Sequence, residues 1–431
     1  MIKRRIFSFF YDSIFFLGVI VYLPVYFKRK KITWSAFKEK CAVYPEKARS
    51  IAPKNRKVVW IQVVSVGEVT LIRSLVEYLK AQGESDVVIS VTTLTGRKVA
   101  EKMYPGNLVV YLPFDISFLI RRAIRFIKPA VFVAIETEIW PNLYLQLKRE
   151  NVPVIILNGR ISERAFAQYR KIKFFMKKIL NLAECIGVQN QFYKERFLEL
   201  GADIEKTIIT GNLKFSNYSI DEKKYAAFVE KYYPYLKNDD SLLFLAASTH
   251  APEETYALDC YKTLIVRYPN LRLMVVPRHI ERVDEIERIF AAAGFRTLKL
   301  SEGFKGGTSS QDVFVVDTVG DLLACYSMAD FCFVGGSLAD YGGHNILEPL
   351  YFAKPTLFGP CMSNFKEIEQ TVLDHQAGIQ VAHSEDLRER LEELIQDVSY
   401  RQKLSGNAHA IFTEGQETLK NSVACIRRWL Y

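Results

Sequence analysis

Metal-binding spacings, paired cysteines and the glycine signatures of the common nucleotide folds are all missing from this chain of 431 residues. Its seven cysteines, at positions 41, 185, 260, 325, 332, 361 and 425, form no CxxC and no paired spacing. That excludes a zinc ribbon and a disulfide framework, and leaves reduced, cytosolic thiols as the expectation. The six histidines lack ligand spacing and no HExxH occurs, so no metal is expected. Without GxGxxG for a dinucleotide or a Walker sequence for ATP, no cofactor is expected either. No internal repeat or low-complexity segment stands out. Apolar residues make up 49% of the chain and charged residues 25%, the balance of a globular protein. The length exceeds what one ordinary core carries, which predicts two domains plus a small appendage.

Acidic residues are scarce in the first half. Residues 1–215 carry 36 Lys and Arg against 18 Asp and Glu, whereas the rest carry 22 against 30, within a total of +10. A first half so basic points to an anionic partner: a nucleic acid, a membrane surface or a phosphorylated substrate. The N-terminus favours the membrane. Residues 6–27 read IFSFFYDSIFFLGVIVYLPVYF, between Lys3-Arg4-Arg5 and Lys28-Arg29-Lys30-Lys31. That run matches the roughly 30 Å thickness of a bilayer core, although Asp12 and Pro24 interrupt it. No small-residue cleavage site follows, so a signal peptide is not expected. The expectation is an N-terminal membrane-anchoring helix over residues 1–31, spanning or lying in the interface, with a buried N-terminal helix as the alternative. The larger basic cluster follows the run, which places the body in the cytoplasm, with the segment against anionic lipids of the inner leaflet.

From about residue 55, β-branched apolar runs alternate with amphipathic helical stretches, the pattern of parallel sheets covered on both faces. Strands are predicted over 58–64, 87–91, 108–112, 131–135, 154–157 and 186–188. After a Tyr-, Lys- and Asp-rich lapse near 217–240, a second set follows at 242–247, 271–276, 313–316, 331–334 and 356–358. The fold class is therefore α/β with two Rossmann-like, doubly wound domains, over 32–215 and 216–431. Such sheets bind ligands at their strand C-terminal ends. A last helical stretch over 417–429 suits either domain.

Polar residues crowd those ends. Val64-Ser65-Val66-Gly67-Glu68 follows the first strand and opens a helix. Glu68 is either a helix-start carboxylate or a base whose charged form the helix dipole favours. Glu136-Thr137-Glu138-Ile139-Trp140-Pro141 ends another strand, with Pro141 placed to begin a helix. Seven basic residues between 160 and 178 make either a solvated helix face or a contact for lipid phosphates. In the second half Ser248-Thr249-His250 and Pro277-Arg278-His279 end strands with the hydroxyls and guanidinium a phosphate takes. Gly335-Gly336-Ser337 and Gly342-Gly343-His344-Asn345 let backbone approach a ligand, and Glu348 lies one helical turn past Asn345.

Taken in order, SVGEV, TTLTG, YLPFD, ETEIWPNL, LNGRISER, TGNLKF, STHAPEE, PRHIER, DTVGDL, FVGGSL, GGHNILEP and GPCMSNF resemble the 3-deoxy-D-manno-oct-2-ulosonic acid (Kdo) transferases, from about Trp60 to Phe365. The resemblance implies a GT-B glycosyltransferase whose N-terminal domain binds the acceptor and whose C-terminal domain binds the nucleotide sugar. It implies inverting transfer of Kdo from CMP-Kdo to a lipid A precursor (lipid IVA) in lipopolysaccharide core biosynthesis, with no nucleic acid involved. Glu68 then takes the general-base position. Arg278, His279, Ser248 and Thr249 fall on the CMP phosphate, Gly335, Gly336 and Ser337 line the donor pocket, and Asn345 and Glu348 lie near the ribose. Arg160, Ser162 and Arg164 are the acceptor-side candidates. Gln62 departs from a usual histidine, Val319 and Asp321 from DTMGEL, and Gly159 and Ala165 from NARLSERS. Nucleotide-sugar 2-epimerases share the architecture and are the second class, against which the basic half and the anchor count.

Overall fold

The computed structural model describes residues 11–13, 15–19, 21, 33–46, 48, 57–83, 85–217, 223–237, 240–303, 309 and 311–430. They form two compact units, one of residues 1–217 with 414–431 and one of residues 218–413.

The first unit is built on β1 (Lys57–Val63), β2 (Ser85–Val91), β3 (Leu108–Tyr111), β4 (Val131–Ile135), β5 (Val154–Gly159), β6 (Cys185–Val188) and β7 (Thr207–Ile209), in the order β3-β2-β1-β4-β5-β6-β7. The second is built on β8 (Leu242–Thr249), β9 (Leu271–Pro277), β10 (Thr297–Lys299), β11 (Val313–Val315), β12 (Phe331–Val334), β13 (Thr356–Phe358) and β14 (Ile379–Gln380), in the order β10-β11-β9-β8-β12-β13-β14. Every strand pairing is parallel. Both faces of each sheet are dry. Along β1, Val58 and Trp60 enter one apolar cluster while Val59, Ile61 and Val63 enter another. Along β8, Phe244 and Ala246 face one cluster, Leu243, Leu245 and Ala247 the other.

The strand orders position the sites. The chain leaves β1 for β2 on one side and comes back to β1's other side with β4; β8 stands likewise between β9 and β12. Where connections diverge in this way, the loops at the strand C-terminal ends part and leave room for a ligand. Those ends carry Val64–Glu68 and Glu136–Trp140 in the first unit, and Ser248–His250 and Gly335–Leu338 in the second.

Two expectations need correction. β7, β10 and β14 were not predicted, because edge strands of two or three residues carry too little apolar pattern to read. A single domain over 216–431 also fails at its end. Residues 414–431 belong to the first unit, where Val423, Ile426 and Leu430 pack in one cluster with Val59 and Ile61.

Most of the expected anchor, including 6–10 and 22–31, lies outside the described residues. Among the described residues no helix is long and apolar enough to cross a membrane. Phe16, Leu17 and Val21 are exposed. Asp12, the charge that interrupts the apolar run, is tied down. Its Oδ1 accepts the Ser117 N–H at 2.9 Å and the Asn142 side-chain amide at 2.7 Å. The helix Ser117–Ile127 has no cap from its own N-cap residue, so Asp12 supplies one from outside. Removing residues 1–31 should therefore leave a folded chain that has lost a helix cap, about 0.5–2 kcal/mol. Asp12→Ala in the full chain should reproduce that loss in thermal unfolding. A truncated chain that cannot be recovered folded would place the segment in the core.

Candidate functional site

In the first unit the loop after β1 turns into the helix Val66–Leu71, capped by Ser65, whose hydroxyl accepts the Glu68 N–H at 3.4 Å. Glu68 turns back so that its Oε2 accepts the Val64 N–H at 2.8 Å and its Oε1 accepts the Ser65 hydroxyl at 3.3 Å. The helix dipole alone would favour the charged form. Burial outweighs it, with help from the negative charges of Glu136 and Glu138, and pushes Glu68 up to about 7. This corrects the expectation that helix position keeps Glu68 readily ionised.

The two carboxylates after β4 take different partners. Glu136 has a left-handed backbone, φ 61°, and its Oε2 pairs with Arg160 Nε at 2.9 Å. Thr137 donates to the Arg160 carbonyl, tying the ends of β4 and β5 together. Glu138 goes the other way: its Oε2 accepts Trp140 Nε1 at 2.8 Å and Gln62 Nε2 at 3.4 Å. Burial raises its pKa as well. Gln62 is fully buried and closes a chain from Trp60 through Ser90, so its amide holds the Glu138 carboxylate in place. Ser162 caps the helix Glu163–Lys171, accepting the Ala165 N–H at 3.3 Å, and Arg164 is exposed on that helix's first turn. Of the acceptor-side candidates, Arg160 alone is joined to the carboxylate cluster.

In the second unit Ser248 is also left-handed, φ 51°. Non-glycine residues held there cost about 1–3 kcal/mol and cluster at functional sites. The Thr249 carbonyl accepts the Arg278 N–H at 3.0 Å, which sets the ends of β8 and β9 side by side. Thr249 Oγ1 is buried and, among the described residues, has no hydrogen-bond partner. Arg278 and His279 are exposed beside it. Asn345 Nδ2 donates to Glu348 Oε1 at 3.2 Å, and burial raises the Glu348 pKa. Ser337 is fully buried, and its hydroxyl bonds the Val334 carbonyl and the Gly359 N–H. It holds the loop rather than facing outward.

Glu253 was missed in the sequence. Its fully buried carboxylate accepts the N–H of Gly336 at 2.7 Å, Ser337 at 3.1 Å, Leu338 at 2.9 Å and Ala339 at 3.1 Å, besides His250 N–H at 3.0 Å. A Cβ at Gly335 would lie 2.6 Å from Glu253 Oε2 and 2.7 Å from the Ser248 carbonyl, so only glycine admits this approach. The first carboxylate of STHAPEE is its one signal, and it reads as an ordinary helix-start acid. His250 and His344, to which the sequence assigns no role of their own, also meet here. Glu253→Gln should cost about 1–3 kcal/mol, because its amide turns a donor toward buried N–H groups. The exposed Glu281→Gln should cost less than about 0.5 kcal/mol. Thermal unfolding compares the two; equal effects would mean that Glu253 does not hold the loop.

Comparison with known proteins shows the family. Residues 35–217 match the model of the 3-deoxy-D-manno-octulosonic-acid transferase (kdotransferase) family. The chain is 32% identical to a 3-deoxy-D-manno-octulosonic acid transferase of Haemophilus influenzae, over 86% of this chain and 87% of that one. It is 36% identical to a bifunctional glycosyltransferase/methyltransferase of Fusobacterium nucleatum over 79% of this chain, and spans about half (53%) of that relative's length. A UDP-GlcNAc 2-epimerase of Neisseria meningitidis, solved with UDP-GlcNAc, shares the fold at a TM-score of 0.51 and 14% identity, over 85% of this chain and all (100%) of that one. On the strength of the Haemophilus likeness and the matched model, this chain belongs to the 3-deoxy-D-manno-octulosonic acid transferase family of glycosyltransferases.

Proposed function

We propose that the chain transfers Kdo from CMP-Kdo to a hydroxyl of a lipid A precursor (lipid IVA), with inversion, in lipopolysaccharide core biosynthesis. The observation that carries this reading is the carboxylate cluster at the divergence of β1 and β4. A base must be unprotonated yet strong enough to take a proton, which favours a pKa near the working pH. Glu68, held near about 7, meets that condition. It takes the acceptor's hydroxyl proton as the oxygen bonds to the anomeric carbon. The bond from that carbon to the phosphate oxygen breaks, and its electron pair leaves with CMP. Arg278, beside the orphaned Thr249 hydroxyl, offsets the charge growing on the departing phosphate. Arg160 and Arg164 supply positive charge for a phosphorylated acceptor in the first unit.

The same reading places the protein at the cytoplasmic face of the inner membrane. Ile172 and Phe174 are exposed among Lys171, Lys173, Lys177 and Lys178, and Lys178 Nζ lies 3.9 Å over the Phe174 ring. Apolar tips in a basic field suit an anionic lipid interface. Epimerisation rests on shared fold alone.

Glu68→Gln should lower transfer roughly a hundred- to ten-thousandfold while CMP binding survives. Arg278→Ala should cost on the order of a hundredfold through donor use, with acceptor binding nearly unchanged. Turnover by purified protein, read by mass spectrometry of the lipid, checks both. Near-normal turnover of Glu68→Gln with Glu138→Gln dead would move the base to the other strand end. Turnover of nucleotide sugar without lipid, beyond slow hydrolysis, would favour the epimerase class.

A further inference from the structure

Three of the chain's six histidines gather at one place in the second unit. The Nε2 atoms of His250 and His344 lie 3.0 Å apart, and the two rings are parallel within 8° at 5.2 Å. Tyr341 stacks on His250 at 4.0 Å, and His279 meets it edge-on at 5.4 Å. A contact of this length between two ring nitrogens holds one hydrogen: one imidazole donates and the other accepts. The pair is fixed by backbone. Gly336, φ 65°, passes so close that a Cβ there would lie 2.9 Å from His344 Cδ2, and Glu253 holds that loop.

The charged groups facing the pair are Glu253, Glu254, Arg278 and His279. Both carboxylates are committed: Glu253 to backbone N–H groups, Glu254 to Arg282 at 2.8 Å. His279 has the exposed Glu281 at 3.6 Å, and Tyr341 contributes a ring face. Among the described residues Arg278 has no ion pair. Burial, then the nearby imidazole and the Arg278 charge, hold His344 down at about 4, and burial lowers His250. With no anion bound the pair is neutral, and the Arg278 cation stands beside it.

We infer that the His250–His344 pair is the proton-accepting part of the phosphate site, so that a nucleoside monophosphate dianion docking at Arg278 brings one proton onto the pair. The inference rests on the proposed reading of the second unit as a CMP-sugar site. The proton comes from solvent and converts the imidazole–imidazole bridge to imidazolium–imidazole. Its positive charge then faces the phosphate, which stabilises it as an opposite charge within a few ångströms does. The same charge would act on CMP as it leaves.

Calorimetry of CMP binding to the full-length protein, in buffers of different ionisation enthalpy, reads the proton directly. Between about pH 7 and 8.5 CMP is already dianionic, since its second phosphate pKa is about 6. Wild-type protein should take up a fraction of a proton per CMP, largest near pH 7 and shrinking toward pH 8.5, with Kd falling as pH falls. His344→Gln and His250→Gln should still bind CMP, with the uptake abolished and the pH slope flat. Cytidine, lacking the phosphate, should cause no uptake, and inorganic phosphate causing it would support the assignment to phosphate alone. CMP binding by wild type with no net proton exchange overturns the inference, as does uptake by both variants as large as that of the wild type. No CMP binding at all overturns the donor-site reading, and the inference with it. The wild-type buffer series decides even if a variant fails to fold.

Discussion

An all-parallel sheet puts the ends of all its strands at one edge, and the polar backbone groups of the loops there must find partners. Where the strand order reverses, neighbouring loops separate and cannot satisfy one another. Both units meet this constraint with carboxylates. At β8/β12 the buried Glu253 gathers the N–H groups of residues 336–339. At β1/β4 Glu68 takes the Val64 backbone N–H, while Glu138 takes the side-chain N–H groups of Trp140 and Gln62. Supporting and reactive groups thus share one edge, and the former limit how far the latter move.

Charge behaves differently at the two ends. The first half is strongly basic, yet the turn after β1 faces Glu136 and Glu138, and their field raises Glu68 with burial. Basic residues sit further out, on the helices after β5, where they meet solvent. In the second unit the end of β9 offers Arg278 and His279, while the carboxylates nearby are already committed. An acid-rich end suits proton removal and a cation-bearing end suits a phosphate.

Much of this was legible in the sequence. Long β-branched runs such as 131–135 announced the central strands, because burial on both faces demands them. The motifs at strand ends led to Glu68, Arg278 and the Gly335-Gly336 loop, since glycine and polar residues after such runs have few packing uses. Short edge strands escaped, as did the return of 414–431 to the first unit, which depends on contacts of Ile426 and Leu430 with residues hundreds of positions away. Glu253 and the His250–His344 pair escaped for the same reason. Each looks ordinary locally and acquires its role from a loop more than 80 residues on. The direction of the Glu68 shift was misjudged because desolvation is a tertiary quantity, invisible in a helix-start motif.

The central claim is that a carboxylate at the end of β1, raised by burial, removes the acceptor's proton. The pH dependence of transfer at saturating CMP-Kdo tests it most directly. A base that must be ionised makes kcat/KM for the acceptor rise about tenfold per pH unit below its pKa and level off above it. The account predicts that ascending limb with a midpoint near about 7 in the wild-type enzyme. A profile flat from pH 5.5 to 8, or one that falls as pH rises through that range, would contradict it.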